Sequence, residues 1–151
     1  MKMMDRALYW DDLAPGLRYR SRGRTITETD LVNFVNASWL TEGLFTSIDA
    51  GERRHSAIDG RVVPGALVYA YAEGLGKRTM EGIGMAFLEA SMQVKKPTRV
   101  GDTIHVECEV LDRRMTSKPG RAILRSQVDV VNQDGDTVLT YTVVRLVRAP
   151  E

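Results

Sequence analysis

One run in the middle of the chain limits the fold more than any other feature. From Ala66 to Leu75 the side chains are Ala, Leu, Val, Tyr, Ala, Tyr, Ala, Glu, Gly and Leu. Wound as a helix, this run is apolar around most of its circumference, so the helix is expected to be enclosed rather than to lie on a surface. Its many small residues permit close approach to a surrounding sheet. Val63-Pro64-Gly65 leads into it, and proline near a helix start sacrifices no hydrogen bond, since the first N–H groups have no helical partner. The stretch free of charge extends only from Val62 to Ala72. A membrane span needs about 18 or more apolar residues, so a buried element of a soluble protein is expected.

What could enclose such a helix follows it in the chain. After Gly82 the sequence reads as strands. Ile104, Val106, Cys108 and Val110 alternate with His105, Glu107 and Glu109, the period of a half-buried strand. Arg121 to Val131 and Thr137 to Val147 are two more, joined by the hairpin turn Asn132-Gln133-Asp134-Gly135-Asp136 and preceded by the turn Ser117-Lys118-Pro119-Gly120. Met85 to Val94 is a fourth, ending before Pro97. Ahead of the helix, Tyr19 to Ile26 reads as one extended stretch with Arg18, Arg20, Arg22 and Arg24 on one side. Thr27-Glu28-Thr29-Asp30 then resembles a capping box, with Leu31, Phe34 and Val35 forming the buried face of a first helix. Ser38 to Arg61 has no sustained period and contains Gly43, Gly51 and Gly60, the signature of a long functional or mobile excursion. A curved antiparallel sheet wrapped around one apolar helix, an α+β arrangement, buries all of this most simply.

Composition narrows the function. The 151 residues suit one domain able to bury roughly 70% of its unfolded surface. Lys and Arg number 21 against 20 Asp and Glu, a formal net charge of +1, and neither half of the chain is strongly charged. There is no basic arm or acidic tail, which disfavours a nucleic-acid partner. The N-terminus, Met1-Lys2-Met3-Met4-Asp5-Arg6, lacks the apolar run of a signal peptide. A single cysteine, Cys108, cannot form an internal disulfide, so a cytoplasmic location and a core role for that thiol are expected. No His/Cys/Asp spacing suggests a metal site, and no Gly-rich loop follows a strand as in nucleotide binders.

The element order resembles the hotdog fold, and specifically the MaoC-like hydratase/dehydratase family. Three pieces carry the likeness: Thr27-Glu28-Thr29-Asp30-Leu31-Val32-Asn33-Phe34, Gly60-Arg61-Val62-Val63-Pro64-Gly65-Ala66-Leu67, and Lys96-Pro97-Thr98-Arg99-Val100-Gly101-Asp102-Thr103. They match the family's first-helix entry, central-helix entry and Pro-containing link, within a likeness reaching from about Trp10 to Val147, so that residues 1–151 form one hotdog domain. The resemblance implies reversible hydration of a 2-enoyl thioester carried by CoA or an acyl carrier. It implies no cofactor beyond the CoA of the substrate. It also implies a homodimer, or a larger assembly of dimers, with the active site at the subunit interface.

Some of the implied chemistry fits this sequence and some does not. The N–H groups at the start of the central helix, at the positive end of its dipole, suit a developing enolate oxygen, and Gly65 allows close approach to them. The family's water-activating Asp and His fall on Leu40 and Phe45, with Glu42 at its Asn and Gly43 at its Pro. Neither Leu40 nor Phe45 can move a proton. Glu42, the ionisable group inside this variant loop, is either a general acid or base or a solvated loop carboxylate. Asp49 reads as a turn or cap residue or as a second proton carrier, and His55 as a surface histidine or a catalytic one. Glu73, eight residues beyond Gly65, resembles the water-activating acid of hotdog thioesterases; its other reading is a carboxylate near the exposed end of the helix. Trp39, Phe45, Val63, Pro64 and Ala66 are the expected substrate contacts, with Tyr69 and Tyr71 as core or interface residues. Three functions stay open: a hydro-lyase, a thioesterase using Glu73, and a non-catalytic acyl-thioester-binding or structural subunit.

Overall fold

A computed structural model describes residues 1–49 and 57–151. Its central element is α3, Gly65–Met80, and the sheet curves around one side of it. The four long strands are β4 (Gly84–Val94), β5 (Thr103–Met115), β6 (Arg121–Val131) and β7 (Thr137–Arg148). With the short β1 (Lys2–Met3), β2 (Arg18–Arg20) and β3 (Arg24–Thr25), they form a sheet ordered β1-β2-β5-β6-β7-β4, with β3 also on β5. The long strands pair antiparallel throughout, Cys108 facing Val128 and Val128 facing Tyr141 across the centre. The alternation of β5 is realised: Ile104, Val106, Cys108 and Val110 are buried, and His105, Glu107 and Glu109 are not. Burial pushes the Cys108 thiol upward, as suits a core residue.

The capping box closes as expected. In α1, Glu28–Ser38, the Thr27 hydroxyl accepts from Asp30 N–H while the Thr27 N–H donates to the Asp30 carboxylate. Leu31 and Val35 are the buried residues of that helix.

Three expectations need correction. The stretch Tyr19 to Ile26 is two short strands, not one. At Ser21 the hydroxyl takes the place of a ladder carbonyl and accepts from Val106 N–H at 3.0 Å, which breaks regular pairing. The four arginines are nevertheless all exposed. Among its described residues, the excursion from Ser38 to Arg61 contains one helical turn, α2 (Gly43–Thr46), because the Glu42 carbonyl gathers the Phe45 and Thr46 N–H groups. Finally, α3 is not enclosed all round. Leu67, Val68, Ala72 and Thr79 are buried, but Ala66, Ala70 and Gly74 form an open stripe. The helix runs on beyond Gly74 and Gly76 to Met80. Thr79 is buried, and its carbonyl accepts from Leu8 N–H, so tertiary anchoring carries the helix past Gly74 and Gly76.

Strand β4 differs from its neighbours. All eleven of its residues are exposed, and beyond it the sheet has no further strand among the described residues. Met85, Phe87, Leu88, Met92 and Val94 lie 43–58% exposed along it.

Candidate functional site

The entry to α3 is fixed by a web of main-chain bonds. Val62 bridges Arg99, Val63 N–H donates to the Thr98 carbonyl, and Val100 N–H donates to the Arg61 carbonyl. The other side of the Pro97–Asp102 link is tied to the start of α1, where Gly101 N–H donates to Ile26 O and Ile26 N–H to Asp102 O. Gly101 sits at φ +95°, a conformation that favours glycine. The three stretches separated in sequence at 27–34, 60–67 and 96–103 therefore meet at one end of the molecule. Arg61 completes the junction: its guanidinium holds the Glu28 carboxylate at 2.6 Å and donates to the Phe45 carbonyl at 2.5 Å. Sequence reasoning missed this role for Arg61.

Pro64 caps α3, and its carbonyl accepts from Leu67 and Val68 N–H. The N–H groups of Gly65 and Ala66 find no backbone acceptor among the described residues. They are the unsatisfied donors of the positive helix end. A Cβ on Gly65 would stand 3.0 Å from a Val94 methyl, so any larger residue here requires the Val94 side chain to shift.

Beside Gly65 lies a cavity of about 150 Å³. Leu44 and Phe45 of α2, Ile58, Val63, Val68 and Leu139 line it. The lining is apolar except near Lys96 and Thr98, and Lys96 is engaged by Asp136 at 2.7 Å. No carboxylate or imidazole lines it among the described residues.

The expected site residues separate into groups. Gly65, Phe45 and Val63 line this cavity. Pro64 is buried but does not line it, whereas Ala66 is exposed on the open stripe of α3. Trp39 is 84% exposed and ends α1 at φ 62°, unusual for so bulky a residue. Glu42 heads α2 with its side chain exposed and outside the cavity lining. Asp49 is exposed as well, its N–H bonded to the Ser47 hydroxyl. His55 lies outside the described residues.

Glu73 is elsewhere, in the interior of α3 and facing the sheet. Arg145 donates to both its oxygens at 2.8 Å, and the Tyr141 hydroxyl donates at 2.7 Å. Burial and then the Glu73 charge push the Tyr141 phenol up, keeping it a neutral donor. Tyr69 meets Tyr141 edge to face, and Phe87 lies beneath the Arg145 guanidinium. The Tyr71 hydroxyl donates to Asp30. A signal for the Glu73 partnership was available. Tyr141, Val143 and Arg145 share one face of β7, so an arginine interrupts an apolar alternation and implies a buried acid opposite.

No protein-family model matches the chain, and no curated protein does; solved structures do. A MaoC-like dehydratase from Rhodospirillum rubrum is 28% identical over 96% of this chain and 100% of its own, with a TM-score of 0.79. An R-hydratase from Pseudomonas aeruginosa is 23% identical over 96% of this chain and 87% of its own, with a TM-score of 0.70. A double-hotdog protein of Mycobacterium tuberculosis is 19% identical over 95% of this chain but 44% of its own, with a TM-score of 0.82. The sheet around α3, the web at its entry and these likenesses agree: the chain has the hotdog fold and is similar to MaoC-like dehydratases.

Proposed function

We propose that the protein binds an acyl thioester at the entry to α3 and acts on the 2-enoyl class as a reversible hydro-lyase. The observation that carries this is the pairing of two unsatisfied helix N–H groups, at Gly65 and Ala66, with an apolar cavity at the same point. The thioester carbonyl sits at the amides and the acyl chain enters the cavity. Water adds its oxygen to C3 and a proton to C2, and negative charge gathers on the thioester oxygen as the enolate forms. The helix dipole and N–H donors stabilise that oxygen more than they do the ground-state carbonyl. Proton transfer falls to the connection between α1 and α3, where Glu42, with Asp49 or His55, supplies ionisable groups. The full-length likeness to a dehydratase at 28% identity supports the reaction class.

The assembly completes the picture. The exposed apolar strand β4 is the surface on which a second copy docks, and Val94 at its end also lines the cavity. The double-hotdog neighbour supports such pairing, since this chain spans less than half of it.

The test is loss of enoyl absorbance from a short 2-enoyl-CoA with purified wild type, Gly65→Val and Glu42→Gln. Turnover in the wild type, lost in both variants, is expected. Wild-type turnover retained by Glu42→Gln removes Glu42 from the mechanism, and no turnover with any 2-enoyl-CoA removes the reaction. A second reading, thioester binding without chemistry, is favoured by one observation: Phe45 contributes a hydrocarbon wall where the family resemblance has a histidine. Binding of acyl-CoA without turnover is the result that selects it.

A further inference from the structure

The cavity beside Gly65 is lined by one polar side chain that the rest of the protein leaves without a hydrogen bond. Thr98 lines it and is only 4% exposed. Its carbonyl accepts from Val63 N–H at 3.0 Å, but its hydroxyl has no partner among the described residues. The other buried serine and threonine hydroxyls described are all engaged. Ser21 donates to the Arg22 carbonyl and accepts from Val106 N–H, Thr79 donates to the Gly76 carbonyl, and Ser126 bonds the Cys108 thiol. A buried hydroxyl without a partner is destabilising, and valine would fill nearly the same space without that loss. Thr98 is also held in place. Pro97 with its fixed φ precedes it, and the Arg99 N–H that follows donates to the Asp102 carboxylate. Lys96, the other polar residue of the lining, already holds Asp136. The position of Thr98 narrows what its hydroxyl can serve. Val63, bonded to the Thr98 carbonyl, lies two residues before Gly65, so Thr98 stands at the end of the cavity where the α3 amides are. Those amides only donate, which suits an oxygen gathering negative charge. A threonine hydroxyl both donates and accepts, which suits a water molecule or an alcohol.

We propose that the Thr98 hydroxyl holds the oxygen that belongs on C3 of the acyl group, as water before addition and as the 3-hydroxyl after it. Thr98 accepts a hydrogen bond from one O–H of the water. A lone pair of the water then forms the bond to C3, its other O–H gives its proton to the base, and C2 gains a proton. The O–H bonded to Thr98 survives as that of the product. Thr98 therefore orients the water and takes no proton itself. The proposal rests on the cavity as the thioester site, but a preference for an oxygen at C3 follows whether or not the protein adds that oxygen.

The experiment is equilibrium dialysis of the full chain against butanoyl-CoA and 3-hydroxybutanoyl-CoA, with the ester in each compartment identified by chromatography so that turnover does not obscure binding. Wild type is expected to bind the hydroxy ester about ten-fold more tightly, the worth of one hydrogen bond to an otherwise unpaired group. Thr98→Val erases that preference and Thr98→Ser restores it. In hydration of 2-butenoyl-CoA, Thr98→Val lowers kcat about ten-fold with KM unchanged, because the enoyl ester carries no oxygen at C3 to lose a contact. Thr98→Val also melts no lower than wild type, since it removes an unpaired hydroxyl. A lower melting temperature would show that the hydroxyl serves the fold and would overturn the proposal. So would equal affinity of wild type for the two esters, or a preference kept in Thr98→Val. The two proposals fail separately. Butanoyl-CoA bound without preference for the hydroxy ester leaves the thioester site standing while the role of Thr98 falls. A preference lost in Thr98→Val, with no turnover of any 2-enoyl-CoA, leaves Thr98 standing while the reaction falls. No binding of either ester removes both.

Discussion

Two residues at the ends of α1 make opposite contributions to stability. At its start, Asp30 accepts from the Thr27 N–H and the Tyr71 hydroxyl and faces Arg24, and these bonds hold its carboxyl below the usual range. A carboxyl lowered on folding stabilises the protein at pH values above its ordinary pKa near 4, and that contribution vanishes as the pH falls through the lowered value. Asp30→Asn should therefore cost about 1 kcal/mol near neutrality, with the difference from wild type closing on acidification. Urea titrations at several pH values measure this, and a difference constant with pH refutes it. At the other end, Trp39 holds a left-handed conformation while 84% exposed, so little packing repays the strain. Trp39→Gly should stabilise the fold by about 1 kcal/mol, as glycine does at this position after a helix. If Trp39 contacts the thioester, acyl-CoA affinity falls in the same variant. Unchanged affinity removes Trp39 from the substrate contacts.

At the scale of elements, the sequence announced whatever depends on local chemistry or period. The capping box of α1, the alternation of β5 and the turn Asn132–Asp136, with Gly135 at φ +81°, were all legible, because each is written within a few adjacent residues. The break at Ser21 was not, since it depends on a bond to Val106 eighty-five residues away. The persistence of α3 past two glycines was hidden for the same reason, being anchored through Thr79 by Leu8. At the site, Gly65 could be read from its setting before a helix, whereas the cavity wall drawn from Leu139 and Val94 exists only once the sheet has closed. Two inter-element ties give tests. Arg61 joins α1 to α2, and Arg61→Ala should loosen α2, seen as faster proteolysis between α1 and α3 and weaker acyl-CoA binding; unchanged cleavage would count against the tie. Glu73 joins α3 to β7, and in Glu73→Ala the half-buried Arg145 loses its carboxylate, a loss of about 2 kcal/mol. Denaturant melts check the stability. A Glu73 variant that melts like wild type yet loses thioester hydrolysis would instead restore the catalytic assignment of that residue.

For the whole molecule the unsolved surface is β4. A strand with both faces and one edge open is a template for pairing with another chain, and proteins that stay monomeric blunt such edges with charge, proline or a covering loop. Here the strand carries Met85, Phe87, Leu88, Met92 and Val94, with Glu89 as its one charged residue. The stripe Ala66, Ala70 and Gly74 on α3 is likewise uncovered. The near-zero net charge of the chain opposes association only weakly, so apolar burial decides. Antiparallel pairing of β4 with β4 of a second copy would continue the sheet across a two-fold axis and bury the same patch on both subunits. Because Val94 ends that strand and also lines the cavity, the second copy stands at the cavity mouth, and losing it should weaken thioester binding as well as assembly. Light scattering of wild type at micromolar concentration should give twice the 16.9 kDa of one chain, or a multiple of that. Leu88→Lys, which places a charge on the exposed edge without touching the cavity lining, should give single chains that remain folded by circular dichroism and bind acyl-CoA at least ten-fold more weakly, a loss of about 1.4 kcal/mol. A monomeric wild type would rule out the pairing. A monomeric Leu88→Lys that binds as tightly as wild type would show that one chain makes the whole site.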